Sequence, residues 1–172
     1  MLGEMDLEKI TVNRIAERST INRVTFYLHY RDIPDMLEKM ADEMTENIQR
    51  ILDDESGAPH TPEEEEDWPQ LVKLLEHIAE HAKLYKIILT SRRTPIFTDR
   101  MLRLLSRSVT ARIERMRTEP FFAAAGIQKD IAVWYGASAL IGTIVAWLKK
   151  DMPYTPSFLA KQFTLMRSNL KL

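Results

Sequence analysis

The chain contains no cysteine. That removes disulfides, a thiolate nucleophile and any cysteine-ligated zinc or iron–sulfur site, and it permits a reducing compartment. Glycine is scarce, five in 172 residues, so the turn punctuation of an all-β chain and a glycine-rich phosphate loop are both missing. Neither a Ser/His/Asp set nor an acid pair stands out, so no enzyme and no cofactor are expected. The opening MLGEMDLEK lacks a basic flank followed by an apolar run, which argues against a signal peptide and for a cytoplasmic protein. A large net charge is absent too: the formal value is −1, which by itself argues against a nucleic-acid partner.

The residues that are present favour helix. Hydrophobic residues make up 45% of the chain, and Ala, Leu, Glu, Lys, Arg and Met dominate, so an all-α fold with a substantial core is expected. The small net charge conceals blocks of opposite sign. Residues 53–67, DDESGAPHTPEEEED, hold eight acids and no Lys or Arg, whereas residues 83–117 hold ten Lys/Arg against Asp99 and Glu114. The acidic block, with Gly57, Pro59 and Pro62, reads as a linker. Residues 13–31 carry Arg14, Arg18, Arg23 and Arg31 against Glu17 alone, a local excess of positive charge.

Polar residues ahead of apolar periodicity mark the helix starts. Thr11 is placed to cap a short helix over 12–18, Asn22 a second one to residue 27 or 28, and Asp32 a longer one with Met36, Leu37, Met40, Met44, Ile48 and Ile51 inward. Further helices are expected over 68–90, 97–116, 128–150 and 156–168. Two short helices joined by a three-residue turn form a helix-turn-helix pattern, in which the second helix enters the major groove. Ala16 is small enough for the crossing, and Ile15, Ile21 and Phe26 would close a miniature core. The remaining residues suit DNA: Arg23 for a bidentate pair with guanine, Thr25, Tyr27 and His29 for phosphates, Asn22 at the helix start and Asn13 for a backbone contact.

The run ITVNRIAERSTINRVTFYLHYRDIPDML, residues 10–37, resembles the DNA-binding signature of the tetracycline-repressor (TetR) family of bacterial transcriptional regulators, above all in Thr25-Phe26-Tyr27-Leu28-His29-Tyr30 and the Asp-initiated helix that follows. WLKKDMPYTPSFLAKQF, residues 147–163, is similar to the end of the regulatory domain in one branch of that family. The resemblance implies a homodimeric repressor with a DNA-binding module over residues 1–46 that reads a palindromic operator in double-stranded DNA. It also implies a regulatory, dimerising and ligand-binding domain over 47–172. Three positions depart from the pattern. The helix expected before Ile10 is largely missing, which should leave Ile15 and Phe26 partly uncovered and weaken the module; Thr20 stands where the family commonly has Gly; and Ile33 stands where it often has a phosphate-binding Lys.

Residues 131–148, IAVWYGASALIGTIVAWL, carry no charge. The stretch is long enough for a membrane span, but a buried helix is the expectation, with Ala132, Gly136, Ala139, Thr143 and Ala146 as a close-approach face. Covering such a helix on all sides in a short chain calls for a partner, so a homodimer through 128–150 and 156–168 is expected, with no membrane. The resemblance places the dimer contact at the same two helices. Tyr85, Met101, Leu104, Trp134 and Tyr135 are candidates to line a cavity for an unknown small-molecule ligand, apolar or aromatic rather than ionic. HIAEH, His77 to His81, matches a short zinc-protease pattern, yet no third ligand or cleft is identifiable and no metal is expected. Two rival readings stand beside the repressor. One is a helical interaction protein using the basic segment 83–117; the other is a truncated ligand-binding homodimer deficient in DNA binding.

Overall fold

Three short polar side chains start the first three helices. In the computed structural model, which describes residues 11–20, 22–54, 68–90, 95–115 and 119–170, α1 is Val12–Ser19, α2 Arg23–His29 and α3 Ile33–Asp53. Thr11 Oγ1 accepts from the Arg14 N–H at 3.3 Å, Asn22 Oδ1 from Val24 at 3.1 Å and Asp32 Oδ1 from Asp35 at 2.8 Å. Each satisfies an N–H that the helix itself leaves without a partner. Pro34 lies in the first turn of α3, where its missing N–H costs nothing. α1 ends at Thr20 with φ 55° and ψ 31°, its N–H bonded to the Ala16 carbonyl. A β-branched residue in that left-handed conformation carries about 1–2 kcal/mol of strain that Gly would not. The inward position Ile21 and residues 1–10 lie outside the described residues.

The larger part is a helical assembly: α4 Pro69–Glu80, α5 Ala82–Thr90, α6 Pro95–Arg115, α7 Glu119–Ala124, α8 Lys129–Lys149 and α9 Pro156–Leu170. α6 runs along α8, α3 packs on α6 and α4, α4 on α9, and α5 on α8 and α6. Ile48, Leu74, Ile78, Tyr85, Met101, Ile144 and Trp147 meet in one core, and Ile113, Phe122 and Val133 form a smaller one beside it. A Cβ on Gly136 would meet Val109 Cγ1 at 3.3 Å, so this glycine sets how closely α6 approaches α8. Residue 46, where the two domains were expected to divide, lies inside the unbroken α3.

Several expectations need correction. The single helix over 68–90 is two, because His81 leaves helical geometry at φ −109°, ψ 25°. Its carbonyl then starts α5 by accepting from Leu84 and Tyr85 at 3.0 and 3.1 Å. α7 was not anticipated; the chain leaves it through a turn at Gly126, φ 69°, with the Ile127 N–H reaching back to Phe122 O at 2.8 Å, a closure that glycine permits without strain. The small-residue face of α8 is also divided. Ala132, Gly136 and Thr143 are half-buried, whereas Ala139 and Ala146 are exposed together with Ser138 and Gly142. α8 is the described helix long and apolar enough for a membrane span by length and composition, yet Ala137, Leu140, Ile144, Trp147 and Leu148 are inside the fold. After α8 the chain turns through Asp151 and Met152, both at positive φ, and Trp147 Nε1 donates to the Tyr154 carbonyl at 2.9 Å. The segment whose sequence resembles the end of a TetR regulatory domain is therefore a tied corner leading into α9.

Candidate nucleic-acid interface

The α1–α2 pair is small, and one residue dominates its closure. Phe26 is 2% exposed, with Tyr27 edge-on at 5.5 Å and Tyr30 tilted at 5.3 Å between ring centroids. Phe26 is thus covered, contrary to the expectation that a missing helix would leave it partly open; Ile15 is half-buried. With Phe26 inward, the opposite side of α2 must face solvent. Asn22, Arg23, Tyr27 and His29 are exposed around the rim of α2, and Asn13 is exposed on α1. Thr25 is half-buried rather than fully outward. Asn22 Oδ1 is occupied by its cap bond, which leaves its amide N–H groups as the donors for a partner. Sequence reasoning missed Val24 and Leu28, which are 63% and 75% exposed on the side opposite Phe26. Their four-residue spacing, offset from Phe26, was the available signal.

The corner between α2 and α3 is fixed by Lys39 and Asp35. Lys39 Nζ donates to the His29 carbonyl at 2.7 Å and lies 5.4 Å from the Tyr30 ring centroid, so a cation satisfies the carboxyl end of α2. Asp35 is buried at the start of α3 and accepts from the Arg31 N–H at 2.9 Å, with Arg31 Nη2 and Lys39 Nζ each 3.3 Å away. The Arg31 N–H, then Lys39 and the Arg31 charge, hold its carboxyl below the ordinary range despite its burial. A group lowered in this way stabilises the folded state fully above its unfolded value of about 3.9, and that contribution is lost as pH falls through the lower folded value. In acid titrations followed by circular dichroism, the Asp35→Asn variant should lack this stabilisation at neutral pH and show a correspondingly flatter decline below pH 4.

The five residues expected around a ligand fall in separate environments. Tyr85 and Met101 are fully buried in the main core. Leu104 lines a hollow of about 180 Å³ with Gln70, Arg107 and Arg112. Tyr135 lines an apolar groove of about 530 Å³ with Val109, Ile113, Phe122, Leu140 and Phe163. Trp134 points to solvent, 61% exposed. The groove has the size of a small-molecule site, and Phe122 and Phe163 are lining residues that sequence reasoning did not name. Arg112 stacks over Trp68 at 5.0 Å and borders both spaces.

Tyr85 is the polar oddity of the core. Among the described residues its buried hydroxyl has no hydrogen-bond partner, and burial pushes the phenol well above its ordinary pKa. A buried hydroxyl without a partner costs about 1–3 kcal/mol. Tyr85→Phe is therefore expected to raise the stability of the ligand-free chain by about 1 kcal/mol, measurable by urea denaturation.

Much of the basic segment is engaged within the chain. Arg100 pairs with Asp42 and with Glu38, Arg103 with Asp99, and Lys86 with Asp151. Arg92, Arg93 and Arg117 lie outside the described residues. The Arg100 pairs tie α6 to α3 and the Lys86 pair ties α5 to the turn after α8, while Arg103 is engaged within α6 itself, which accounts for several of the cations without an external acidic partner.

Residues 66–169 match the family model described as the transcriptional regulator C-terminal region of the TetR type. Among curated proteins, the chain is similar to the uncharacterized HTH-type transcriptional regulator YxbF of Bacillus subtilis (strain 168), with 22% identity over 163 residues, 94% of this chain and 40% of that protein. The chain thus spans less than half the length of that relative. With the regulatory-domain match covering all of α4 to α8 and most of α9, and with a capped helix pair preceding it, the chain belongs to the TetR family of transcriptional regulators.

Proposed function

We propose that the chain is a repressor that binds a palindromic operator as a homodimer, with one α2 in the major groove of each half-site, and that a small molecule in the α4–α9 part releases it. The observation that carries this reading is the outward side of α2. Asn22, Arg23, Val24, Tyr27, Leu28 and His29 are exposed around a buried Phe26, a mixture of cationic, hydrogen-bonding and apolar groups suited to guanine edges, phosphates and thymine methyls. Arg23, in the first turn of α2, is the residue assigned to direct base reading.

The dimer assignment rests on α8 and α9. Ser138, Ala139, Gly142 and Ala146 expose a narrow, nearly featureless strip of α8, flanked by the exposed Ile131 and Tyr135. On α9, Phe158, Leu165 and Met166 are exposed. A two-fold pairing of these helices into a four-helix contact would cover both surfaces.

Release follows from α3. This helix begins at the α2 corner and ends in the main core, where Ile48 is buried with Leu74 and Ile78. A ligand that favours one packing of α3 against α4 and α6 would swing the two α2 helices apart or together, and its effect on DNA would equal its difference in affinity for the two arrangements. The binding domain in this reading covers residues 1–46 and the regulatory domain 47–172, with α3 shared between them.

Helical phasing tests the geometry. Half-sites read by a rigid dimer lie about 34 Å, one turn, or a small multiple apart. Inserting about five base pairs between the half-sites of a duplex selected by the chain turns one recognition surface to the opposite side of the DNA. Binding should then fall to the non-specific level and return on insertion of a full turn. Equal affinity for all three spacings would refute two-fold reading.

A further inference from the structure

The carboxyl end of α4 carries ligand-type side chains that gene regulation by α2 does not use. His77, Glu80 and His81 each offer a donor atom, an imidazole nitrogen or a carboxylate oxygen, within 4.8 Å of the others. The four-residue spacing places both histidines on one face, with ring centroids 4.6 Å apart. Helical geometry stops at Glu80, so these three donors cluster at the helix end rather than along its length.

Both rings are held. His81 Nδ1 lies 3.0 Å from the His77 carbonyl oxygen. A carbonyl only accepts, so Nδ1 carries the proton of the neutral imidazole and the lone pair is on Nε2. Metal-bound histidines are oriented by the same kind of bond from the far ring nitrogen to a carbonyl. His77 packs edge-on against the buried Tyr85, 5.8 Å between centroids at 80°, and is half-buried, while Glu80 and His81 are exposed. One side of the cluster is therefore anchored to the core and the other is open to water.

We propose that His77, Glu80 and His81 form a binding site for a zinc-class divalent transition-metal ion, with the remaining coordination position open to a solvent or ligand donor. Two imidazoles and a carboxylate suit such an ion, and with bonds of about 2.0–2.2 Å a tetrahedral set needs donors about 3.3 Å apart. The exposed Glu80 side chain is free to close the remaining distance. The third donor that the sequence reading lacked is Glu80, brought into position by the end of α4. The ion would clamp the break between α4 and α5, where α4 packs on α3 and α9.

The test is a zinc titration of the chelator-treated chain, followed by melting temperature and calorimetry, with cobalt(II) as a visible-absorption reporter. One ion per chain is expected, with a rise of about 5–10 °C at a hundredfold excess over Kd, and cobalt absorption of a four- or five-coordinate ion. Glu80→Gln and His81→Ala alter exposed side chains, so the metal-free melting temperature should hold. Each should weaken binding by more than the roughly 10–100-fold that loss of a merely supporting partner produces. Absence of any zinc-dependent shift at millimolar concentration would overturn the assignment, as would full-strength binding by His81→Ala. No step of the test involves DNA, so its failure is separable from failure of the regulator reading.

Discussion

Phe26→Ala is expected to remove the ordered α1–α2 pair from an otherwise folded chain. Truncating a buried Phe costs about 3–5 kcal/mol. Two helices of eight and seven residues cannot offset that loss through their own propensity. The main core is separate: α4, α5, α6 and α8 bury Leu74, Tyr85, Met101 and Ile144 without any contribution from Phe26. Unfolding should therefore be local. Hydrogen exchange is the direct measurement, with protection lost over residues 12–30 and retained over α4 and α8, and with specific DNA binding lost in the same variant. Unchanged protection over 12–30 would mean that α1 and α2 are held by something other than their small shared core.

Gly142→Arg is expected to convert a dimer into a folded monomer. Nothing lies within 4 Å of the Cβ that a side chain would add at Gly142, and replacing a mid-helix Gly improves helix propensity by up to about 1 kcal/mol. The monomer fold should therefore accept the substitution. At the proposed interface the same change places a long cation in the narrow strip between Ala139 and Ala146, where a desolvated charge without a partner costs several kcal/mol. Sedimentation should report 20.0 kDa for the variant and about twice that for the parent chain. Gly142→Ala should remain dimeric. A dimeric Gly142→Arg chain would move the interface away from α8, and a chain that fails to fold would contradict the open space at this position.

The starts of α1, α2 and α3 were legible because Thr11, Asn22 and Asp32 each precede an amphipathic run and have only one local use. The inward Phe26 was legible from the same period. The break at His81 was not, since it involves neither Gly nor Pro; the residue leaves helical geometry at φ −109° although its N–H still bonds the His77 carbonyl as in a helix. The division of α8 was hidden for another reason. A helix apolar all round has no preferred side by periodicity, so only packing against α6 reveals that Gly136 faces inward while Gly142 and Trp134 face out. The separation of the exposed Trp134 from the groove-lining Tyr135, both on α8, has the same origin. Asp35 was passed over because an acid in the first turn of a helix is ordinary, and its burial depends on the approach of Arg31 and Lys39.

The assignment stands most directly on Arg23. The measurement is fluorescence anisotropy on a duplex enriched from random sequence by the chain itself, titrated across salt concentrations and repeated with Arg23→Ala and with Arg103→Ala/Arg107→Ala. Loss of one bidentate guanine contact costs about 1–3 kcal/mol per half-site. Arg23→Ala should therefore erase the preference for the selected sequence and leave weak, strongly salt-dependent binding, while the α6 variant should bind as the parent does. Retained preference in Arg23→Ala, with loss in the Arg103/Arg107 variant, would contradict the account and place the nucleic-acid surface on α6.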